Sequence, residues 1–362
     1  MNTNKVFEVK YMLYKSVDEM LAPRTLSRLA GTRITRAAEK VNGNHNGLAG
    51  GKLSTVQTDN GRFVLKRMSL TDDFIMAASS DTRCRSVTLW QYNLLDELLP
   101  EIAHEIVACA NDGEGWALLM NDLSGHVFTN EVKPTPAQTL ELLDAMARVH
   151  ATFWNDDRLT APELGICDTR QLLEMSSLAS ALCFEQGTNS PLPEWIIRGW
   201  AKLADLLPAD LYDPMRELMD DPRPLLDAVE QYQKTLIHGD FRAENLAYTD
   251  RSVLLDWQEA AYTLPTADLV WFLRDESFSP EYGRFEAEVY YRQRLEWHLG
   301  ARFANEEWQA MLDLGYGIDA LRAAGFYGMF VILNVDNLQY RQHDEWFVRF
   351  HAHKVQKALR WL

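Results

Sequence analysis

The stretch from Lys234 to Gln258 limits what this chain can become more than any other. An apolar run, Thr235 to Ile237, leads into His238-Gly239-Asp240 and a short polar loop ending at Asn245. Two extended runs follow, Leu246 to Tyr248 and Val253 to Leu255, around the turn-forming residues Thr249-Asp250-Arg251-Ser252. A hairpin of that size folds Asp256 back beside Asn245. A carboxylate, an amide oxygen and a second carboxylate are thereby expected at one edge of a small sheet.

That grouping suits phosphoryl transfer, which needs positioning and charge neutralisation more than covalent intermediates. Mg²⁺ takes oxygen ligands, one or two protein carboxylates and the phosphates themselves. Asn245 and Asp256 are therefore the expected metal ligands. Asp240 can accept a hydrogen bond from a hydroxyl and aim it at phosphorus. Arg242, two residues on, can set a positive charge along the transferring phosphate.

The pattern His-Gly-Asp-x4-Asn followed by Asp-Trp resembles the aminoglycoside phosphotransferase and choline kinase group of small-molecule kinases. Protein kinases carry His-Arg-Asp-x4-Asn and Asp-Phe-Gly at the matching places. Gly239 and Trp257-Gln258 stand here instead, which points to the small-molecule branch. The resemblance implies an α+β, two-lobed protein-kinase-like fold. It has a small β-rich N-lobe over residues 1–121 and a larger, mostly helical C-lobe over 122–362. It also implies ATP and Mg²⁺ as cofactors and a small-molecule hydroxyl as acceptor.

The N-terminal third is consistent with that implication. Val17 to Leu29 has helical spacing, and Ile34–Val41 reads as a first strand. Asn42 to Gly51 holds four glycines in ten residues and precedes the expected strand Leu53–Thr58. Glycines let a backbone approach phosphates and present its amides. Alone the segment reads as a hairpin turn. With the downstream motif, Gly47, Gly50 and Gly51 are expected to cover nucleotide phosphates. Asn60-Gly61 is a hairpin signal, and the strand Arg62–Arg67 follows. Lys66 on that strand sits where the resembled group keeps its phosphate-binding lysine.

Kinases hold that lysine with a glutamate on the next helix, here expected over about 81–98. Ser86 stands near the expected place and cannot form an ion pair. Asp96, Glu97 or a residue of Asp72-Asp73 substitutes, or Lys66 is positioned differently. Ile106–Ala110 and Trp116–Met120 read as two strands, the second running into a hinge. Met120, Asn121 and Leu123 there resemble the backbone that holds the adenine edge.

The second half reads as mostly helical. Thr135 caps an amphipathic helix over Pro134–Trp154, in which His150 reads as a core histidine. Residues 155–232 alternate helical stretches with proline breaks, Pro214 among them. Asp268, after the motif, is read as structural support for the loop. The aromatics of 279–362, Tyr291, Trp297 and Trp308 among them, read as core packing rather than an amine-binding box.

Composition narrows the partners. The net charge is −16, which argues against nucleic acid or an anionic membrane and suits a cationic acceptor. The longest apolar run, Phe326 to Leu333, is too short to span a bilayer. Cys84, Cys109, Cys167 and Cys183 form no Cys-x-x-Cys pair, and the N-terminus has no signal-like apolar region, so a cytoplasmic protein with reduced thiols is expected. The expected activity is transfer of the ATP γ-phosphate to an amino sugar, amino alcohol, sugar or natural product. The alternative is a nucleotide-binding regulator with little phosphotransfer, motivated by Ser86. A protein-directed kinase is disfavoured by Gly239 and the missing Asp-Phe-Gly.

Overall fold

A computed structural model describes residues 8–40, 47–129, 131–274, 278, 283–333 and 353–362, with backbone alone over 328–333. The expected α+β arrangement of a small sheet lobe and a larger helical lobe is observed. Ten strands are described in chain order: β1 Ala37–Lys40, β2 Lys52–Thr58, β3 Gly61–Met68, β4 Ile102–His104, β5 Ile106–Asp112, β6 Gly115–Asn121, β7 Thr235–Ile237, β8 Leu246–Tyr248, β9 Ser252–Leu254 and β10 Ala261–Thr263. The first lobe is a five-stranded antiparallel sheet in the order β1-β2-β3-β6-β5.

The two-residue period of the strands decides what each sheet face touches. Phe63 and Leu65 of β3, with Ala117 and Leu119 of β6, pack under Val17, Met20 and Leu26 in one apolar cluster. Met68 and Leu118 point to the opposite face and join the main core. Lys66 shares parity with Met68, so the same pleat that buries Leu65 sends Lys66 into the cleft between the lobes. The segment expected as one helix over Val17–Leu29 is two, Val17–Leu21 and Pro23–Leu29, broken at Ala22. Pro23 occupies the first position of the second helix, where it suits an N-terminus but cannot continue a preceding one.

The helix expected over 81–98 is shorter, Arg85–Gln91, followed by a 3₁₀ turn Leu95–Leu98. Cys84, with φ of 57°, leaves helical geometry immediately before it. β4 was not foreseen. It pairs in parallel with β9 of the helical lobe, Ile102 opposite Ser252 and His104 opposite Leu254, and two residues later the chain enters β5 of the first sheet. The chain between β4 and β5 is therefore a strap across both lobes, with Glu105 at its crossing point.

In the second lobe Thr135 caps Pro136–Thr152 in a capping box with Gln138. Pro214 does not break a helix as expected; it lies inside Ala209–Asp220. It removes a single backbone donor there while Leu211, Met215 and Leu218 still bury one face. The helices Thr266–Arg274 and Asn305–Leu333 pack on each other beneath the β7–β8 loop. Tyr291 and Trp308 are core residues, as expected, while Trp297 is 63% exposed. Cys84, Cys109 and Cys167 are buried and Cys183 is exposed, and all four are free thiols. Among the described residues no helix is long and apolar enough to cross a membrane.

Candidate active site

The loop from His238 to Asn245 leaves β7 and enters β8. Its shape depends on Gly239, whose φ is +85° and whose position would set a Cβ 2.0 Å from the Glu259 carbonyl oxygen. No other residue fits that approach, which gives a physical reason for glycine where protein kinases carry arginine. Asp268 grips the loop from below. Its Oδ2 accepts the His238 amide at 2.7 Å and its Oδ1 the Gly239 amide at 2.8 Å. His150 is fully buried, between Asp268 Oδ2 at 3.3 Å and the Tyr291 hydroxyl at 2.5 Å. The His238 ring donates from Nε2 to the Leu255 carbonyl at 2.8 Å and accepts the Asp240 amide at Nδ1, tying the loop to the hairpin.

Asp240 is thereby presented as a hydrogen-bonded carboxylate. Oδ2 accepts from Asn245 Nδ2 at 2.7 Å and from Arg242 Nε at 3.1 Å, and Oδ1 from Trp271 Nε1 at 3.0 Å. Burial pushes its affinity for a proton up, but Arg242, His238 and Arg322 overcome this and hold the group below the usual carboxylate range. Arg242 turns back onto Asp240 and Glu244. Because Asn245 spends its amide nitrogen on Asp240, its Oδ1 is the atom left to face a cation.

The hairpin does bring Asp256 to Asn245. β8 and β9 pair Leu246 with Leu254, and the Leu255 amide donates to the Asn245 carbonyl at 2.9 Å. Asp256 has a φ of 61°, a left-handed conformation that aspartate tolerates at some cost. Glu105 supports it there: its Oε1 accepts the Asp256 amide at 3.2 Å. Burial pushes the Glu105 carboxyl up to about 7.

Lys66 reaches both Asp256 oxygens at 2.7 Å and Gln258 Oε1 at 3.2 Å. Burial lowers its ammonium, but Asp256 and then Asp73 more than offset this, so it stays charged above its ordinary range. Of the substitutes considered for the missing helix glutamate, Asp96 is engaged with Tyr11 and His104, and Glu97 with Arg158. Asp73 is the one that approaches. Its Oδ1 accepts Gln258 Nε2 at 2.6 Å and caps the helix Phe74–Ala78 through the Met76 amide at 3.0 Å. Gln258 therefore bridges Lys66 and Asp73. The fully buried Arg85 fixes the Gln258 carbonyl at 2.6 Å. Ser86 is buried beside this network and its hydroxyl has no described partner.

Asn42 to Asn46 lie outside the described residues, so the glycine segment is seen from Gly47 on. Gly50, at φ +109°, would set a Cβ 2.0 Å from the Asp72 carbonyl oxygen, and Gly51 lies against Asp73 and Lys66. The Phe74 amide donates to the Ala49 carbonyl at 2.7 Å. The base of the glycine segment thus sits on the turn that carries Asp73, next to Lys66. At the expected hinge, Met120 pairs with Val64 and the Asn121 amide donates to the Glu105 carbonyl at 2.9 Å. Beyond β6 the Leu123 carbonyl closes a turn with His126, and Asp122 pairs with Arg62.

Four participants escaped the sequence reading: Glu105, Gln258 as a bridge, Trp271 and Arg322. Arg322 is fully buried on Asn305–Leu333, donating to the Gly239 carbonyl at 2.8 Å and to Glu259 at 2.5 Å. Glu105 adjoins a predicted strand and Trp271 follows Asp268 by three positions, but neither carries a motif of its own.

Comparison with known proteins agrees with the geometry. Residues 53–303 match the phosphotransferase enzyme family. The viomycin phosphotransferase of Streptomyces vinaceus is 27% identical over 134 residues, 34% of this chain and 47% of that protein, so the match spans under half of that relative's length. The fold is shared with the choline kinase of Cryptosporidium parvum Iowa II, at a TM-score of 0.51 and 14% identity over 90% of this chain and 89% of that one. It is also shared with a microcompartment-associated aminopropanol kinase, at a TM-score of 0.50 and 12% identity over 90% and 95%. On the match over 53–303, which carries the Lys66 strand, the loop and the hairpin, this chain belongs to the phosphotransferase enzyme family.

Proposed function

We propose that this chain transfers the γ-phosphoryl group of ATP to a hydroxyl of a small molecule. Residues 1–121 act as the nucleotide-binding lobe and 122–362 as the catalytic and acceptor-binding lobe. The observation that carries the reading is the convergence of Asp240, Asn245, Asp256 and Lys66 on one cleft, linked by hydrogen bonds across 190 residues of sequence. Asp240 orients the acceptor hydroxyl. A carboxylate held below its ordinary range is a weak base, so it takes the proton late, as the phosphoryl group leaves its donor. Asn245 Oδ1 and the Asp256 carboxylate fit a hard divalent cation, since both are oxygen donors on facing strand ends. Mg²⁺, when bound there, offsets charge on the β- and γ-phosphates. Lys66, with the backbone of Gly47, Gly50 and Gly51, holds phosphates. Arg242 offsets charge on the group in transfer, and the chain around Met120, Asn121 and Leu123 takes the adenine.

The relatives' names are those of kinases for choline and aminopropanol and a phosphotransferase for viomycin. With the net charge of −16, that likeness supports a hydroxylated amine as acceptor, such as an amino alcohol or amino sugar. The test is ADP release from purified protein with Mg·ATP across hydroxylated amines, sugars and natural products. Acceptor-dependent release that is lost in Asp240→Ala, with Mg·ATP binding retained, is the expected result. Full activity in Asp240→Ala overturns the assignment. Ser86 motivates the alternative of a nucleotide-binding regulator. The Asp73–Gln258 bracket around Lys66 weighs against it, because it restores the charge that Ser86 lacks.

A further inference from the structure

We propose that Trp271 is a positioning residue for Asp240, whose indole N–H reserves one face of the carboxylate for the acceptor hydroxyl. This rests on the reading of Asp240 as the group that orients the acceptor.

A carboxylate offers about four lone-pair positions. Asn245 and Arg242 occupy two on Oδ2, and Trp271 occupies one on Oδ1 at 3.0 Å. The remaining position lies on Oδ1: Asn245 and Arg242 leave that oxygen to the acceptor, and the indole decides from which direction the acceptor meets it. Without the N–H, the carboxylate can rotate and present either lone pair of Oδ1.

The helix Thr266–Arg274 makes this a fixed arrangement. Asp268 and Trp271 are three residues apart and therefore share a helix face. One holds the backbone of the loop and the other its reactive side chain. The indole is itself immobilised. It is 5% exposed, the guanidinium carbons of Arg274 and Arg322 lie 3.5 and 3.8 Å from its ring centroid, and Phe326 meets it edge-on at 6.3 Å. Cations against an indole face draw electron density from the ring, which strengthens the N–H as a donor. Arg322 also donates to the Gly239 carbonyl, so one side chain packs the tryptophan and holds the loop that it serves.

Trp271→Phe keeps a ring for the two arginines and removes only the donor. With Mg·ATP and water as the acceptor, kcat for ADP release is expected to fall roughly ten- to hundredfold, the range for a lost hydrogen bond to a charged group. KM for Mg·ATP stays unchanged. A merely structural role would move KM for Mg·ATP together with kcat. In ¹⁵N-tryptophan-labelled protein, the Trp271 indole resonance, identified by its loss in Trp271→Phe, is expected to shift in Asp240→Ala more than any other indole signal. An unchanged kcat in a folded Trp271→Phe overturns the proposal, as does a Trp271 resonance indifferent to Asp240→Ala. If Trp271→Phe does not fold, the indole is identified by sequential assignment and the Asp240→Ala shift decides. If the unsubstituted protein releases no ADP with any acceptor, the kinase reading fails, and Trp271 fails with it only if the indole is also indifferent.

Discussion

Asp73→Asn is expected to make the protein more stable and less active. Asp73 is fully buried, and burial, opposed by Lys66, pushes its carboxyl up to about 6. The folded state thus binds a proton more tightly than the unfolded chain, whose aspartate titrates near 4. Stability from this group is present below that lower value and is lost as pH rises through 6. A shift of about two units is worth about 3 kcal/mol at neutral pH and above. Asparagine removes that burden and caps a helix as well as aspartate does. It keeps an oxygen for the Met76 amide and Gln258. Its nitrogen takes the place of Oδ2, which has no described partner, at a cost of about 1 kcal/mol. The net expectation is a gain of about 2 kcal/mol at pH 8 that vanishes near pH 4.5 and turns into a loss of up to about 1 kcal/mol at lower pH. Urea unfolding of both proteins between pH 4.5 and 8 measures it, and the difference between them isolates Asp73 from other titrating groups. Turnover should fall at least tenfold as Lys66 loses its second negative neighbour. A variant less stable than the parent at pH 8, or a difference independent of pH, would refute this account of the cleft's electrostatics.

Other consequences are equally measurable. Glu105 and Glu259 are both pushed up to about 7, chiefly by burial, so the unsubstituted protein should lose stability as pH rises from 5.5 to 8, read as a falling urea midpoint; a rising midpoint would contradict it. Glu105→Gln should weaken that pH dependence while keeping an acceptor for the Asp256 amide, and an unchanged slope would remove Glu105 from the account. Lys66→Met leaves Asp256 and Asp73 without their ammonium; because Asp256 is partly solvated, the expected loss is about 1–3 kcal/mol, below that of a fully buried pair, with ADP release down at least a hundredfold. Gly239→Ala combines a left-handed backbone with a 2.0 Å clash against Glu259 and should cost at least about 3 kcal/mol, and a melting temperature within a degree of the parent's would show that the loop can yield.

Features set by neighbours in the chain were legible beforehand. The hairpin around Thr249–Ser252 follows from turn residues between short apolar runs, and its own pairing brings Asp256 beside Asn245. The facing of Lys66 follows from strand parity, since Phe63 and Leu65 must enter one apolar layer and Lys66 then takes the other side. The Thr135 cap and the core position of His150 are equally local, resting on a capping box and a helical stripe. Where propensity misled, packing overrode it: Pro214 sits inside a helix that still buries one face, and Cys84 ends the segment before Arg85 by its backbone angle.

By itself, the sequence determined the family, the loop and hairpin, and the parity that aims Lys66, because each depends on residues a few positions apart or on a strand's two-residue period. Only the tertiary structure decided what surrounds those groups. Asp73 and Gln258 meet across 185 residues, Trp271 reaches Asp240 across 31, and Arg322 reaches Gly239 across 83. Such pairings are selected by how helices stack and how much charge a closed interior can hold. An aspartate, a tryptophan and an arginine carry no mark of their eventual partners until burial removes water and leaves each of them only the groups packed around it.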